Sequence, residues 1–151
     1  KVLARVYALD HQQIPDSTEF IEGTILVFHR LVKVLIDPGA THSFVKPDFV
    51  SGVDVKLAKL PYDLEVGTPT RDQCLTSNLV YRNCKIWGGE RKLLVDLISL
   101  SIKGYDVILG MDWLAQYHAW LDCKIKLHVF LRPHWAQTHA FSFVFLSRVG
   151  F

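Results

Sequence analysis

Short runs of β-branched, aliphatic and aromatic residues alternate with polar and turn residues along most of the chain. This pattern is typical of β-strands that bury one face. Strands are predicted over residues 19–28, 31–37, 53–60, 62–66, 79–87, 92–100 and 105–109. His29 and Arg30 separate the first two strands, and Gly88 with Gly89 separates a later pair, so both pairs are expected to form hairpins.

Helical spacing is confined to two short segments. Trp113, Leu114 and Tyr117 follow a possible helix cap at Asp112, and residues 46–52 place Pro47 in the first turn of a second candidate helix. The hydrophobic pattern therefore predicts an all-β fold with one or two short helices.

Composition narrows the class of protein. The 151 residues fit one domain, and 50% hydrophobic with 21% charged residues is typical of a globular chain. The net charge is +2 and the basic residues are scattered, so nucleic-acid binding is not expected. No apolar run approaches the roughly 18 residues of a membrane span, and the first ten residues lack the features of a signal peptide. The three cysteines, without a C-x-x-C pair, fit a reducing compartment, and an intracellular, cytoplasmic location is expected.

The main candidate for chemistry is Asp37, which ends an apolar strand and precedes Pro38 and Gly39. One interpretation is a turn carboxylate that accepts hydrogen bonds from the amides of Gly39 and Ala40. The other is a functional acid, because an apolar strand delivers it and small residues leave room around it. The segment 106–114 repeats the design of an apolar strand followed by glycine, at Gly110.

Two motifs in these segments resemble the retroviral-type aspartic proteases, and more closely the protease segment of plant gypsy-class retrotransposon polyproteins. The first is Leu35-Ile36-Asp37-Pro38-Gly39-Ala40, continuing to Phe44, and the second is Ile108-Leu109-Gly110, continuing to Leu114. Shorter matching pieces extend the resemblance from about Ala4 to Phe130.

The resemblance implies a retropepsin-like acid protease β-barrel at residues 14–131, after a lead-in at 1–13 and before a tail at 132–151, which is a candidate interface strand. It implies a homodimer that joins two Asp37 carboxylates, binds an extended polypeptide and needs no metal or other cofactor. The implied parts are the catalytic Asp37; the active-site loop Pro38, Gly39, Ala40 and Thr41; its support Ile108, Leu109 and Gly110; and the flap Val66, Gly67, Thr68, Pro69, Thr70 and Arg71.

Three departures from the family pattern keep a second function open. Pro38 stands where the family has Ser or Thr, Arg71 stands near a frequent flap glycine, and residues 127–151 match poorly. They favour a retropepsin-like module that no longer cleaves and serves in dimerisation or peptide binding.

Other catalytic arrangements are less consistent with the sequence. Asp106 begins a predicted strand, which disfavours an internal dyad with Asp37. The spacing of His and Cys residues does not indicate a zinc site, and the adjacent His42 and Ser43 cannot easily converge with an Asp as a triad.

Overall fold

The computed structural model describes residues 2–5, 20–50, 53–67, 74–88, 91–117, 119–122, 128–131, 141–144 and 149–150. The strands of this part are β1 (Val2–Arg5), β2 (Phe20–Val27), β3 (Arg30–Ile36), β4 (Phe44–Val45), β5 (Leu57–Gly67), β6 (Cys74–Gly88), β7 (Arg91–Ser99), β8 (Val107–Leu109), β9 (Trp120–Asp122), β10 (His128–Leu131), β11 (Phe141–Val144) and β12 (Val149–Gly150). A 3₁₀ helix spans Pro47–Val50, and the helix α1 spans Met111–Gln116.

Within the described residues, nine strands form one sheet in the order β1-β5-β6-β7-β4-β8-β3-β2-β12. A further pairing of β6 with β2 closes the sheet on itself, so the fold is a β-barrel with one short α-helix. Strands β9, β10 and β11 form a separate three-stranded antiparallel sheet. The all-β class predicted from the hydrophobic pattern is confirmed.

The core explains why the sequence of β3 changes from alternating to continuously apolar. Val32, Val34 and Ile36 pack into one buried cluster, which also contains Leu109. Leu35 faces the opposite way and belongs to a second buried cluster. Because both faces of β3 are covered at its C-terminal end, every residue there is apolar until the strand ends at Asp37.

The β2–β3 hairpin forms, but its turn lies one residue earlier than predicted. Phe28 and His29 are the turn residues, and β3 already begins at Arg30. Both turn residues have positive φ, 52° and 62°, as a two-residue type I′ turn requires. The Asn-Gly pair that commonly marks such a turn is missing, so the sequence does not locate the turn to the exact residue.

Two predicted strands, 53–60 and 62–66, are instead one long strand, β5. Pro61 separates them in the sequence, yet it lies inside β5 where the pairing with β6 shifts between Lys59 and Leu64. Proline is tolerated there because the irregular register has no regular ladder hydrogen bond that would need an N–H from residue 61. The β6–β7 hairpin is confirmed by the pairing of Gly88 with Arg91, and its turn residues lie outside the described part.

The two short helices predicted from the sequence are present, but the predicted cap of α1 is wrong. The cap position is Gly110, and Asp112 lies inside the first turn. The apolar face of α1 carries Trp113 and Leu114, both buried in the first core cluster. The Tyr117 hydroxyl, just after the helix, accepts a hydrogen bond from the amide of Leu94 on β7 at 2.8 Å.

The two ends of the chain contribute strands to the large sheet. Strand β1 pairs in parallel with residues 64–67 of β5, and β12 pairs with residues 20 and 21 of β2. In the part of the chain that is described, none of the helices has the length and hydrophobicity to traverse a bilayer.

Candidate active site

Asp37 is held at the end of β3 by the neighbouring strand β8. The two strands run parallel, with Ile36 opposite Leu109. The Asp37 amide donates to the Leu109 carbonyl at 2.9 Å, which extends the ladder by one residue. Asp37 is 1% exposed, although a carboxylate is rarely buried unless it has partners. The sheet therefore fixes the backbone that carries this buried acid.

A tight turn of small residues surrounds the Asp37 carboxylate. The Gly39 amide donates to Asp37 Oδ1 at 2.9 Å, and the Ala40 amide donates to the Asp37 backbone carbonyl at 3.0 Å. The turn interpretation is thus correct for Gly39 but wrong for Ala40, whose amide meets the main chain. Ala40 is buried, whereas Pro38 and Thr41 are exposed.

Gly110 lies directly beneath this loop. A β-carbon at residue 110 would lie 2.2 Å from the His42 carbonyl oxygen and 2.7 Å from that of Ala40. The next residue, Met111, donates its amide to the Ala40 carbonyl at 2.7 Å. The close approach of the two main chains therefore requires glycine at residue 110. The buried Ile108 and Leu109, which precede it, pack into the two different core clusters.

A second contact between the two motifs was not predicted from the sequence. The Ser43 hydroxyl donates to Asp112 Oδ1 at 2.7 Å, and the Ser43 amide donates to Asp112 Oδ2 at 3.2 Å. The Gly110 amide in turn donates to Ser43 Oγ at 2.9 Å. Ser43 is fully buried, so these bonds join the segment after Asp37 to the first turn of α1. The sequence signal was present, since both residues belong to the recognised motifs, but their contact spans 69 positions.

The same contacts rule out a serine triad at this loop. Ser43 Oγ is engaged with Asp112 and Gly110, and His42 Nδ1 lies 2.8 Å from Thr41 Oγ1. A nucleophilic serine needs a free base within hydrogen-bond reach and access to substrate. Ser43 has neither here, so its role is to hold the loop.

Asp106, directly before β8, lies too far from Asp37 to form a dyad with it. Its carboxylate accepts the amide of Lys33, four residues before Asp37, at 2.9 Å. Four residues of strand correspond to about 13 Å. Among the residues that the structure describes, no group of three His, Cys, Asp or Glu side chains is arranged to hold a metal ion.

The predicted flap corresponds to the end of the β5–β6 hairpin. Val66 is fully buried in the second core cluster, which also contains Ala40, and Gly67 is the last residue of β5. Thr68, Pro69, Thr70 and Arg71 lie outside the described residues. The described end of the hairpin therefore belongs to the same buried core cluster as Ala40 of the active-site loop.

Comparison with known proteins identifies a matching family and a similar fold. A family model described as retroviral aspartyl protease matches residues 1–135. The crystal structure of the retroviral protease-like domain of Ddi1 from Leishmania major is similar with a TM-score of 0.61 at 13% sequence identity, covering 84% of this chain and 94% of that one. At this identity the similarity shows a common fold. No curated protein gives a significant match.

Proposed function

The chain belongs to the retroviral aspartyl protease family, and from this premise we propose that it is an aspartic endopeptidase. We propose that its substrate is the polyprotein of a plant gypsy-class retrotransposon. The active form is a homodimer in which each chain contributes one Asp37. The proposal rests chiefly on one observation: Asp37 is 1% exposed and lies at the end of a strand, in a loop held by a second motif.

The carboxylates near the loop in the described part of the chain support a dimer. Asp106 is bonded to Lys33, and Asp112 is bonded to Ser43, so neither carboxylate is available to face Asp37 within one chain. The proposed dimer places its two-fold axis beside the active-site loop, so that the Asp37 side chains of both chains meet there. Two carboxylates at such a distance share one proton, because ionising both costs too much.

Catalysis by this dyad would be direct hydrolysis. The ionised Asp37 takes a proton from a water molecule between the pair, and the oxygen of that water attacks the carbonyl carbon of the peptide bond. The protonated Asp37 of the partner chain donates to the carbonyl oxygen. The tetrahedral intermediate then collapses, with a proton passing to the leaving amine. No covalent enzyme intermediate, metal or cofactor is required.

The substrate would bind as an extended strand between the dyad and the flap. The flap is assigned to the end of the β5–β6 hairpin, residues 66–71, which would exclude water and supply backbone hydrogen bonds. The described end of the hairpin shares a buried core cluster with Ala40 of the active-site loop, which supports this assignment.

The test is cleavage of a mixed peptide library near pH 5 by the natural chain and by Asp37→Asn. Cleavage is expected only with the natural chain, and a transition-state inhibitor of aspartic proteases should abolish it. Asp48→Asn is the matched control, because Asp48 is an exposed carboxylate on the 3₁₀ helix. Cleavage that persists in Asp37→Asn would overturn the mechanism.

Pro38 favours a second candidate function. It has no hydroxyl to brace the paired loops and no backbone N–H. A chain that is folded and dimeric, but cleaves no peptide in the library, would be assigned to the second class, a dimerisation or peptide-binding module without catalysis. A strictly monomeric chain would exclude the dyad, so the association state should be measured on the same sample.

A further inference from the structure

A second concave site lies at the opposite end of β3 from Asp37. The cavity has a volume of about 390 Å³ and is lined by the β2–β3 turn, the segment before β5 and the middle of β6. His29 lines it directly before β3, whereas Asp37 directly follows β3. Seven residues of strand place the two sites about 20–25 Å apart. The volume is within the range of sites that bind small ligands or single side chains.

The backbone around this cavity is strained. The non-glycine residues with positive φ in the described part are Phe28, His29 and Asn83, and all of them line the cavity. This conformation is unfavourable for residues with a β-carbon, and such outliers concentrate at functional sites. The turn and the β6 strand are also joined directly, because the Phe28 amide donates to the Lys85 carbonyl at 3.4 Å.

Asn83 is strained because β6 bulges at this point. Tyr81 pairs with Leu97 and Cys84 pairs with Val95, so two residues of β6 face only Asp96 on β7. The Asp96 carboxylate accepts the Asn83 amide at 2.9 Å and forms an ion pair with Arg82 at 3.0 Å. Bulges of this kind redirect side chains near functional sites. Here the two bulged residues, 82 and 83, both line the cavity.

The lining combines positive charge with apolar surface. His29, Lys56, Arg82 and Lys85 contribute basic groups, against one acidic residue, Asp54. Since Arg82 is already paired with Asp96, the exposed Lys56 and Lys85 carry most of the available charge.

Aromatic and aliphatic side chains complete the wall. Phe28 lines the cavity from the β2–β3 turn and Trp87 lines it from β6, together with Val53 and Val55. Phe28 is fixed from behind by stacking on Phe49, with ring centroids 6.2 Å apart. Aromatic residues are enriched at surfaces that bind other polypeptides, and the lysines beside them supply charge that is complementary to an acidic partner.

We propose that this cavity docks an acidic polypeptide segment that inserts one apolar side chain. Charge complementarity selects the acidic flanks, and the apolar wall with Trp87 receives the inserted side chain. A nucleic-acid strand fits less well, because it requires a long basic groove, whereas the charge here surrounds one cavity of side-chain size and includes Asp54. The proposal goes beyond the proposed function, since docking requires no chemistry at Asp37.

The experiment uses a fluorescein-labelled pentapeptide, Glu-Glu-Phe-Glu-Glu, titrated with the full chain and followed by fluorescence anisotropy. Saturable binding is expected, and Lys56→Glu with Lys85→Glu should weaken it at least about tenfold. The matched control is Lys59→Glu with Lys103→Glu, which makes the same charge change at exposed lysines that do not line the cavity. This control should change affinity by no more than about twofold at 0.15 M salt, where distant charges are screened. Thermal unfolding of each variant verifies that it is folded.

Three further probes make the result specific. Glu-Glu-Ala-Glu-Glu should bind more weakly because it lacks the inserted side chain, Lys-Lys-Phe-Lys-Lys should not bind, and a labelled thymidine pentanucleotide should bind less tightly than the acidic peptide. The Asp37→Asn chain should bind the acidic peptide as the natural chain does, so a failure of catalysis does not affect this test. The proposal would be overturned if binding of the acidic peptide did not saturate. It would also be overturned if either control peptide bound equally well, or if the oligonucleotide bound more tightly.

Discussion

The two ends of β3 are built in opposite ways. At its C-terminal end the chain uses small residues in a partly buried loop, where the Gly39 amide donates to Asp37 and Gly110 lies against the loop. At its N-terminal end two bulky residues, Phe28 and His29, adopt the left-handed conformation beside an open cavity. One end achieves close packing by omitting side chains, and the other keeps large side chains at the expense of backbone strain.

The difference matches the requirements of the two proposed sites. A dyad needs its carboxylates placed to within about 0.5 Å, which favours a loop fixed by main-chain contacts. A docking site needs exposed side chains, which favours a turn that projects them into solvent. Substitutions at the Asp37 end should therefore reduce stability and activity together, whereas substitutions at the cavity end should separate them.

The largest effect is expected from Gly110→Ala. The new β-carbon would lie 2.2 Å from the His42 carbonyl oxygen, a main-chain atom that can move only if the active-site loop moves. We expect the free energy of unfolding to fall by about 3 kcal/mol or more, with loss of cleavage. Urea unfolding measures the free energy of unfolding, and the peptide library measures cleavage. Ser101→Ala, at an exposed position, is the control, and a loss below about 1 kcal/mol in Gly110→Ala would show that the loop can yield.

Asp112→Ala should have the next largest effect, because it leaves the buried Ser43 hydroxyl without its acceptor. A loss of about 2 kcal/mol in the free energy of unfolding is expected. Ser43→Ala with Asp112→Ala completes a double-mutant cycle, which should give a coupling energy of about 1 kcal/mol. Additive losses would mean that the two side chains act independently and that Asp112 does not hold the loop.

The Asp37 end was largely predictable from the sequence, whereas the cavity end was not. Asp37, Gly39 and Ala40 form hydrogen bonds with each other within one short motif. The continuous apolar run of β3 indicates that both its faces are buried. The Ser43–Asp112 contact could not be inferred, because Asp112 satisfies the local pattern of a helix cap until a partner 69 positions away is known.

The cavity escaped prediction for a similar reason. Its turn lacks the Asn-Gly pair that normally marks positive φ, and the bulge at Asn83 depends on the register between β6 and β7. Lys56 and Lys85 are ordinary surface lysines in the sequence. Only the fold brings them to the same cavity, so neither charge patterning nor periodicity could identify the site.

At the cavity end, His29→Gly should stabilise the chain while weakening docking. His29 is exposed with φ at 62°, and glycine adopts this conformation without strain, so a gain of about 1 kcal/mol in the free energy of unfolding is expected. Loss of the imidazole should weaken binding of Glu-Glu-Phe-Glu-Glu. Lys59→Gly, in β5 at ordinary φ, should instead destabilise the chain. A destabilising His29→Gly would show that the turn is not strained.

The smallest effect concerns Cys84, the buried residue on the inner side of the β6 bulge. Burial raises the pKa of its thiol from 9.0 to about 12, so the folded chain holds this proton more tightly than the unfolded chain. The resulting stability is complete below pH 9 and is lost as the pH rises from 9 towards 12. Between pH 8 and pH 10 the free energy of unfolding should fall by about 1 kcal/mol more in the natural chain than in Cys84→Ala.

Comparing the two chains cancels the titration of tyrosines and lysines that both share. Cys74→Ala removes an exposed thiol and should keep the natural pH dependence; an identical alkaline loss in Cys84→Ala would mean that the bulge leaves Cys84 open to water.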